Sequence, residues 1–154
     1  MTLGNRVPAP ARDTALLIAR LLLGAILVRH GWQKAFENGY GGTAAGFEQM
    51  GVPLPQAAAA FAIVAELGGG ALLLLGLLTP VAAALVVVMM TGAFLVAHRR
   101  LEPLVTEGGW ELVAALGCGA LLLGVLGAGR LSLDHAVFGG RRDHTAQTAE
   151  QSPR

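Results

Sequence analysis

Two charged side chains stand inside stretches that are otherwise apolar. Glu66 lies near the middle of the run Ala57–Leu78, and Arg20 interrupts the run Thr14–Gly31. A charge at the centre of a hydrocarbon-embedded helix costs roughly 2.5–3.5 kcal/mol, so each needs a partner or an exit. If the first run enters from one side and the second returns, their depths differ by about four helical steps, roughly 6 Å. An extended arginine covers that distance, and an intramembrane Arg20–Glu66 ion pair is the expectation. The bland alternative has Arg20 reaching back to the near surface and Glu66 neutral.

A second set of ionisable groups gathers at the far ends of the runs. Arg29, His30 and Lys34 leave the first, His98 ends the third and Glu111 opens the fourth. Trp32 and Trp110 stand beside them, where interfacial tryptophans belong. His30, Lys34, Glu66, His98 and Glu111 thus form a candidate polar pocket in the outer half. Such a pocket can hold a polar headgroup, such as that of a quinone, or relay protons. Taken singly, each of these residues reads as a solvated helix end. No HExxH or comparable ligand spacing links the histidines, so no metal site is expected. Cys118 is the single cysteine, which excludes an intrachain disulfide and a CxxC pair. No phosphate-binding glycine loop or nucleophile elbow occurs, because the triplet Gly68–Gly70 sits inside an apolar run. Asp134 and His135 follow Leu131-Ser132-Leu133 and read as a membrane-edge turn, with Ser132 or Asp134 capping a short segment.

The elements that must position these groups follow from composition. The chain has 154 residues, 54% hydrophobic and 14% charged, against roughly 25% charged in an ordinary soluble domain. The formal net charge of +1 gives no electrostatic footprint for nucleic acid. Four apolar segments approach the roughly 20 residues that span a bilayer: Thr14–Gly31, Ala57–Leu78, Pro80–Ala97 and Trp110–Gly127. They lack the alternation of barrel strands. The expected fold is therefore all-α, an integral membrane four-helix bundle with short polar tails. Arg20 and the absence of a small-x-small site after Gly31 argue against a cleaved signal peptide. Thr79 as cap and Pro80 at the first helical position join the second and third spans in a tight hairpin. Between the first two, Thr43 is expected to cap a short interfacial helix running to Met50, with Gly51 ending it and Phe47 and Met50 at the membrane surface. Residues 98–109 read as a polar turn. Gly68–Gly70 and the pairs Ala115/Gly119 and Ala120/Gly124 mark close-packing faces.

The tails carry Arg6, Arg12, Arg130, Arg141, Arg142 and Arg154, and the long loops carry Lys34, Arg99 and Arg100. The positive-inside rule then puts both termini in the cytoplasm, and a multi-pass place in the plasma (inner) membrane is the expectation. The expected organisation is a tail over 1–13, a spanning domain over 14–135 and a flexible tail over 136–154.

The first helix with its arginine, followed by HGWQKAF (His30–Phe36), GFEQMGVPLP (Gly46–Pro55), AELGGGALLLLGLLTPVAAAL (Ala65–Leu85), His98, and GGWELVAALGCGALLLGVLGAGRLSLDH (Gly108–His135), resembles the DoxX family of bacterial and archaeal membrane proteins. The resemblance covers roughly Thr14 to His135. It implies a four-helix membrane subunit with Arg20, His30, Lys34, Glu66 and Glu111 at family-like polar positions. It also implies association with redox complexes, since one relative accompanies a thiosulfate:quinone oxidoreductase and others serve oxidative-stress defence. Three readings follow. The first is a redox-associated subunit whose outer pocket engages a quinone. The second is a non-enzymatic scaffold, in contact with lipid and a redox-enzyme partner, or a homo-oligomer. The third is a small transporter.

Overall fold

The computed structural model describes residues 8–98, 104 and 109–137. Helix α1 covers Ala9–Trp32, α2 Gly39–Gln49, α3 Pro55–Leu75, α4 Thr79–Ala93 and α5 Glu111–Leu126. Among the described residues there is no strand. The expected polar turn after His98, save Leu104 and Gly109, and the tail beyond residue 137 lie outside the described residues, as do Arg6, Arg99, Arg100, Arg141, Arg142 and Arg154.

Three wide π turns depart from the regular α pattern. Gln33–Glu37 prolongs α1, Val64–Gly69 lies inside α3, and Phe94–His98 prolongs α4. The backbone runs through each in right-handed helical conformation, so the rods are continuous. The first rod therefore extends well past Gly31, where the apolar run ends. Hydropathy marks where a helix leaves apolar surroundings, not where its hydrogen bonding stops.

The rods pack in a ring: α1 against α3, α3 against α4, α4 against α5, and α5 back onto α1. Leu23 and Leu27 of α1, Ala65 and Leu73 of α3, Val86 of α4 and Ala120 of α5 meet in the core. Small residues set how closely the helices approach. A Cβ on Gly24 would sit 2.8 Å from the Gly70 carbonyl oxygen, and one on Gly31 would sit 2.7 Å from the Leu67 nitrogen. These two contacts fix the antiparallel register of α1 on α3. Gly124 faces Ala83 and Gly117 faces Met90 in the same manner, holding α5 against α4. Of the expected glycine triplet, Gly69 and Gly70 are at interfaces, whereas Gly68 faces open space.

The hairpin between α3 and α4 is as tight as expected, but its cap is different. Gly76 takes φ +63°, and the Leu77 N–H returns to the Leu72 carbonyl, closing α3 with a Schellman turn. Thr79 does not cap α4: its buried hydroxyl has no partner among the described residues. The Asp134 carboxylate accepts from the Leu78 and Thr79 N–H groups at 2.7 and 2.9 Å instead. Ser132 caps the short turn that follows it, accepting from the His135 N–H.

The short helix between the first two rods is also displaced from expectation. It begins at Gly39, four residues before Thr43, whose hydroxyl donates to the Lys34 carbonyl rather than capping. Gly51 ends it with φ +73°, as anticipated. Phe47 is half-buried and packs against the core cluster, and Met50, also expected at the membrane surface, is exposed.

Candidate functional site

The α1–α3 register decides which charges meet. With Gly24 against Gly70 and Gly31 against Glu66 and Leu67, Glu66 lies about eleven residues beyond Arg20 along α1, roughly 16 Å at 1.5 Å per residue. The expected Arg20–Glu66 ion pair does not form. The expectation set depth from the ends of the apolar runs, and the first rod begins and ends elsewhere.

Glu66 pairs with Lys34. The ammonium lies 2.9 and 2.7 Å from the two carboxylate oxygens, so the contact is bidentate. The geometry follows from helical side-chain direction: side chains lean toward the N-terminus of their own helix. On antiparallel rods, Lys34 leans down α1 toward Gly31 while Glu66 leans up α3 toward Pro55, and the two converge. The Glu66 side chain is 5% exposed and that of Lys34 20%. Thr43 secures the lysine from behind through its bond to the Lys34 carbonyl at 2.9 Å. That bond also serves a carbonyl in the π turn.

Arg20 ends in a different place. Its guanidinium donates to the Leu74 carbonyl at 2.9 Å and to the Leu131 carbonyl. Leu74 is in the last turn of α3, where carbonyls lack intrahelical partners and the helix dipole favours a cation. Gly76 is required here, since a Cβ at that position would collide with the Arg20 guanidinium. The Asp134 N–H donates to the Gly76 carbonyl at 2.8 Å. Asp13 and Arg12 extend the same clasp: Asp13 accepts from the Arg130 N–H at 3.1 Å, and Arg12 donates to the Leu126 carbonyl at 3.2 Å. Arg20 and Asp134 thus tie α1, the α3–α4 turn and the segment after α5 into one knot.

Of the remaining members of the expected outer pocket, His30 lies beside the pair, and His98 and Glu111 are placed by their backbone alone. His30 donates from Nδ1 to the Ile26 carbonyl of its own helix at 2.9 Å and lies within electrostatic reach of Glu66. His98 closes the π turn that prolongs α4, and Glu111 opens α5. Lys34, Glu66 and His98 all lie in π turns, an arrangement that recurs at functional sites. Two surface cavities formed by the described residues measure several hundred Å³. One, about 340 Å³, is an apolar groove between α4 and α5, lined by Met90, Phe94, Trp110 and Cys118 among others. The other, about 460 Å³, lies between α2 and the start of α3, beside Tyr40, Glu48 and Gln56. Neither includes any of the five pocket residues.

A quinone headgroup needs a hydrogen-bond donor turned into a space that its ring can enter. Here the lysine is turned onto Glu66, and the carboxylate is spent on the lysine. In this arrangement neither Lys34 nor Glu66 offers a free group to a quinone headgroup. Among the described residues no three histidine, cysteine or carboxylate side chains are grouped as a metal site.

Sequence reasoning named both members of the buried pair but joined Glu66 to the wrong cation. Asp134 was read only as part of a local turn. Its bond to a hairpin 55 residues away leaves no local pattern to find.

A family model described as DoxX matches residues 15–99, more than half of the chain. The match includes both members of the Lys34–Glu66 pair and ends before α5. No curated protein and no solved structure matches the chain.

Proposed function

Because the chain belongs to the DoxX family, we propose that it is a multi-pass membrane subunit of a redox-linked assembly, in which the buried Lys34–Glu66 pair locks the helices rather than carrying out chemistry. The membrane part rests on where the apolar surface lies. Two helices, Pro55–Leu75 and Thr79–Val96, are long and apolar enough to cross a bilayer, and only 39% and 33% of their apolar windows are buried. A core helix of a soluble protein hides most of such a surface. Here Val64, Val81, Val88, Leu121, Leu122 and Val125 face outward from three different rods, the pattern of a lipid-facing belt. With α1 and α5 beside them, the four rods read as four spans of a plasma-membrane protein, both termini cytoplasmic.

The observation that carries the structural role is the closed, bidentate Lys34–Glu66 contact. Each charge satisfies the other, and neither residue lines either of the two surface cavities described above. The subunit would then contribute a membrane platform to a partner that performs the electron transfer. Native mass spectrometry of the chain released in native lipid discs tests this. A stoichiometric redox-enzyme partner, retained when Lys34→Met and Glu66→Leu are combined in a folded variant, supports the platform reading. A bare chain in native discs contradicts it.

A second reading is favoured by one observation, the placement of Lys34, Glu66 and His98 in π turns. If those turns relax to open the pair, Lys34 becomes a donor and Glu66 a proton carrier for a quinone. A quinone retained by the native chain and lost on Glu66→Gln would establish this reading over the first.

A further inference from the structure

Helix α1 carries a charged pair on its outward face. Ile18, Leu22, Ala25, Arg29, Trp32 and Phe36 follow one another at spacings of four, three, four, three and four residues, and all six are exposed. Leu22 is 62% exposed and Phe36 63%. Such steps run along one face of any α-helix and also suit the seam of two helices wound around each other. Helices α3, α4 and α5 show them too, so the charged pair, not the spacing, carries the inference.

The middle of that seam is charged. Arg29 is 61% exposed and pairs with Glu37, 45% exposed, at 3.0 Å. The α1–α3 register puts Arg29 level with the Leu67–Gly70 stretch of α3. That is about 20 Å below the Pro55 end, at 1.5 Å per residue. At that depth α3, α4 and α5 turn apolar side chains outward. A guanidinium facing lipid there is unfavourable even when it reaches outward to Glu37, about 12 Å nearer the Pro55 end at 1.5 Å per residue, and covering it with protein removes the exposure.

We propose that this face is the contact between two copies of the chain, with α1 packed in parallel on α1 of the second copy. The occupant follows from charge. The patch holds one cation and one anion with Gln33 between them, so it is complementary to itself. A two-fold axis along the membrane normal sets each Arg29 within reach of the other copy's Glu37, at the axial offset that the pair already spans within one chain. A polar residue at a core position of such a seam fixes register and copy number. Trp32 and Phe36, with ring centroids 4.2 Å apart, lie between Arg29 and Glu37 along the helix.

This inference rests on the membrane reading, and two measurements test it. In a Cys118→Ala background, Ala25→Cys chains in native membranes should crosslink to dimers on mild oxidation. Val125→Cys chains, altered at a 77% exposed position on α5, should not. Second, differently tagged Arg29→Glu and Glu37→Arg chains are expressed together. The first presents two acids and the second two bases, so the mixed dimer should exceed either like pair several-fold. Membrane-bound Ala25→Cys chains that stay monomeric, or that crosslink no better than Val125→Cys, overturn the dimer and leave the membrane reading standing. Equal recovery of mixed and like pairs overturns the charge pairing that selects a second copy. A chain recovered in the soluble fraction overturns both.

Discussion

The Lys34 ammonium touches both carboxylate oxygens of Glu66, at 2.9 and 2.7 Å, across the interface between the first and third helices. Both side chains lean toward the N-terminus of their own helix, and because the helices are antiparallel those directions converge. The contact is therefore a product of the register set by Gly24 and Gly31.

Removing one partner strands the other. Lys34→Met leaves a carboxylate that is 5% exposed without its cation, at a cost of about 3 kcal/mol or more. Glu66→Leu strands the lysine in the same way, less severely because Lys34 is the more exposed. The double variant should recover most of the loss. Thermal unfolding in lipid discs, arranged as a double-mutant cycle, reads the coupling directly. Additive losses would show that the two residues act separately.

The glycine contacts predict a contrast within α3 and its neighbour. Gly31→Ala places a methyl 2.7 Å from the Leu67 nitrogen and should destabilise by about 2 kcal/mol, the usual scale of overpacking. Gly68→Ala meets nothing within 4 Å and should be neutral or slightly stabilising, since alanine is the better helix former. The same unfolding measurement compares them.

The Arg20 knot predicts that its partners lie at one end of the bundle, away from Glu66. Exchanging the charges, Arg20→Glu with Glu66→Arg, should not rescue the single variants, because the two sites are about 16 Å apart along the helix. Rescue, read as folded yield from membranes, would restore the pairing that the apolar run boundaries suggested.

Asp134 and Thr79 give a cap test. Asp134→Ala removes the acceptor for two N–H groups at the start of α4 and should cost about 1 kcal/mol. Thr79→Val removes only a buried hydroxyl without a partner among the described residues, and should be neutral or stabilising. Equal losses from the two would return the cap to Thr79.

The all-α fold and the approximate places of the long rods were legible because hydropathy and proline positions are local. Pro80 stands at a helix start and Gly51 at a helix end, each by its own backbone preference, whereas the helix start at Pro55 and the end at Gly76 fall outside and inside the apolar run Ala57–Leu78. Glu66 and Lys34 were legible as costly residues. Their pairing was not, because it depends on helix register, and register is set by close backbone approach at Gly24, Gly31 and Gly70. Nor did hydropathy show α1 running on to Glu37, since a π turn rich in polar residues looks like a loop. The Asp134 cap was hidden by the distance along the chain between it and Leu78.

The central claim is that Lys34 and Glu66 lock two helices and take no part in chemistry. Reversing the pair, Lys34→Glu with Glu66→Lys, tests it most directly, because the contact survives with its polarity inverted while a reaction centre would not. In native lipid discs the reversed pair should leave the folded yield and the thermal unfolding temperature close to native, with any quinone or partner that the native chain retains still bound. A folded variant that loses a quinone held by the native chain would contradict the claim and place the chemistry at Glu66.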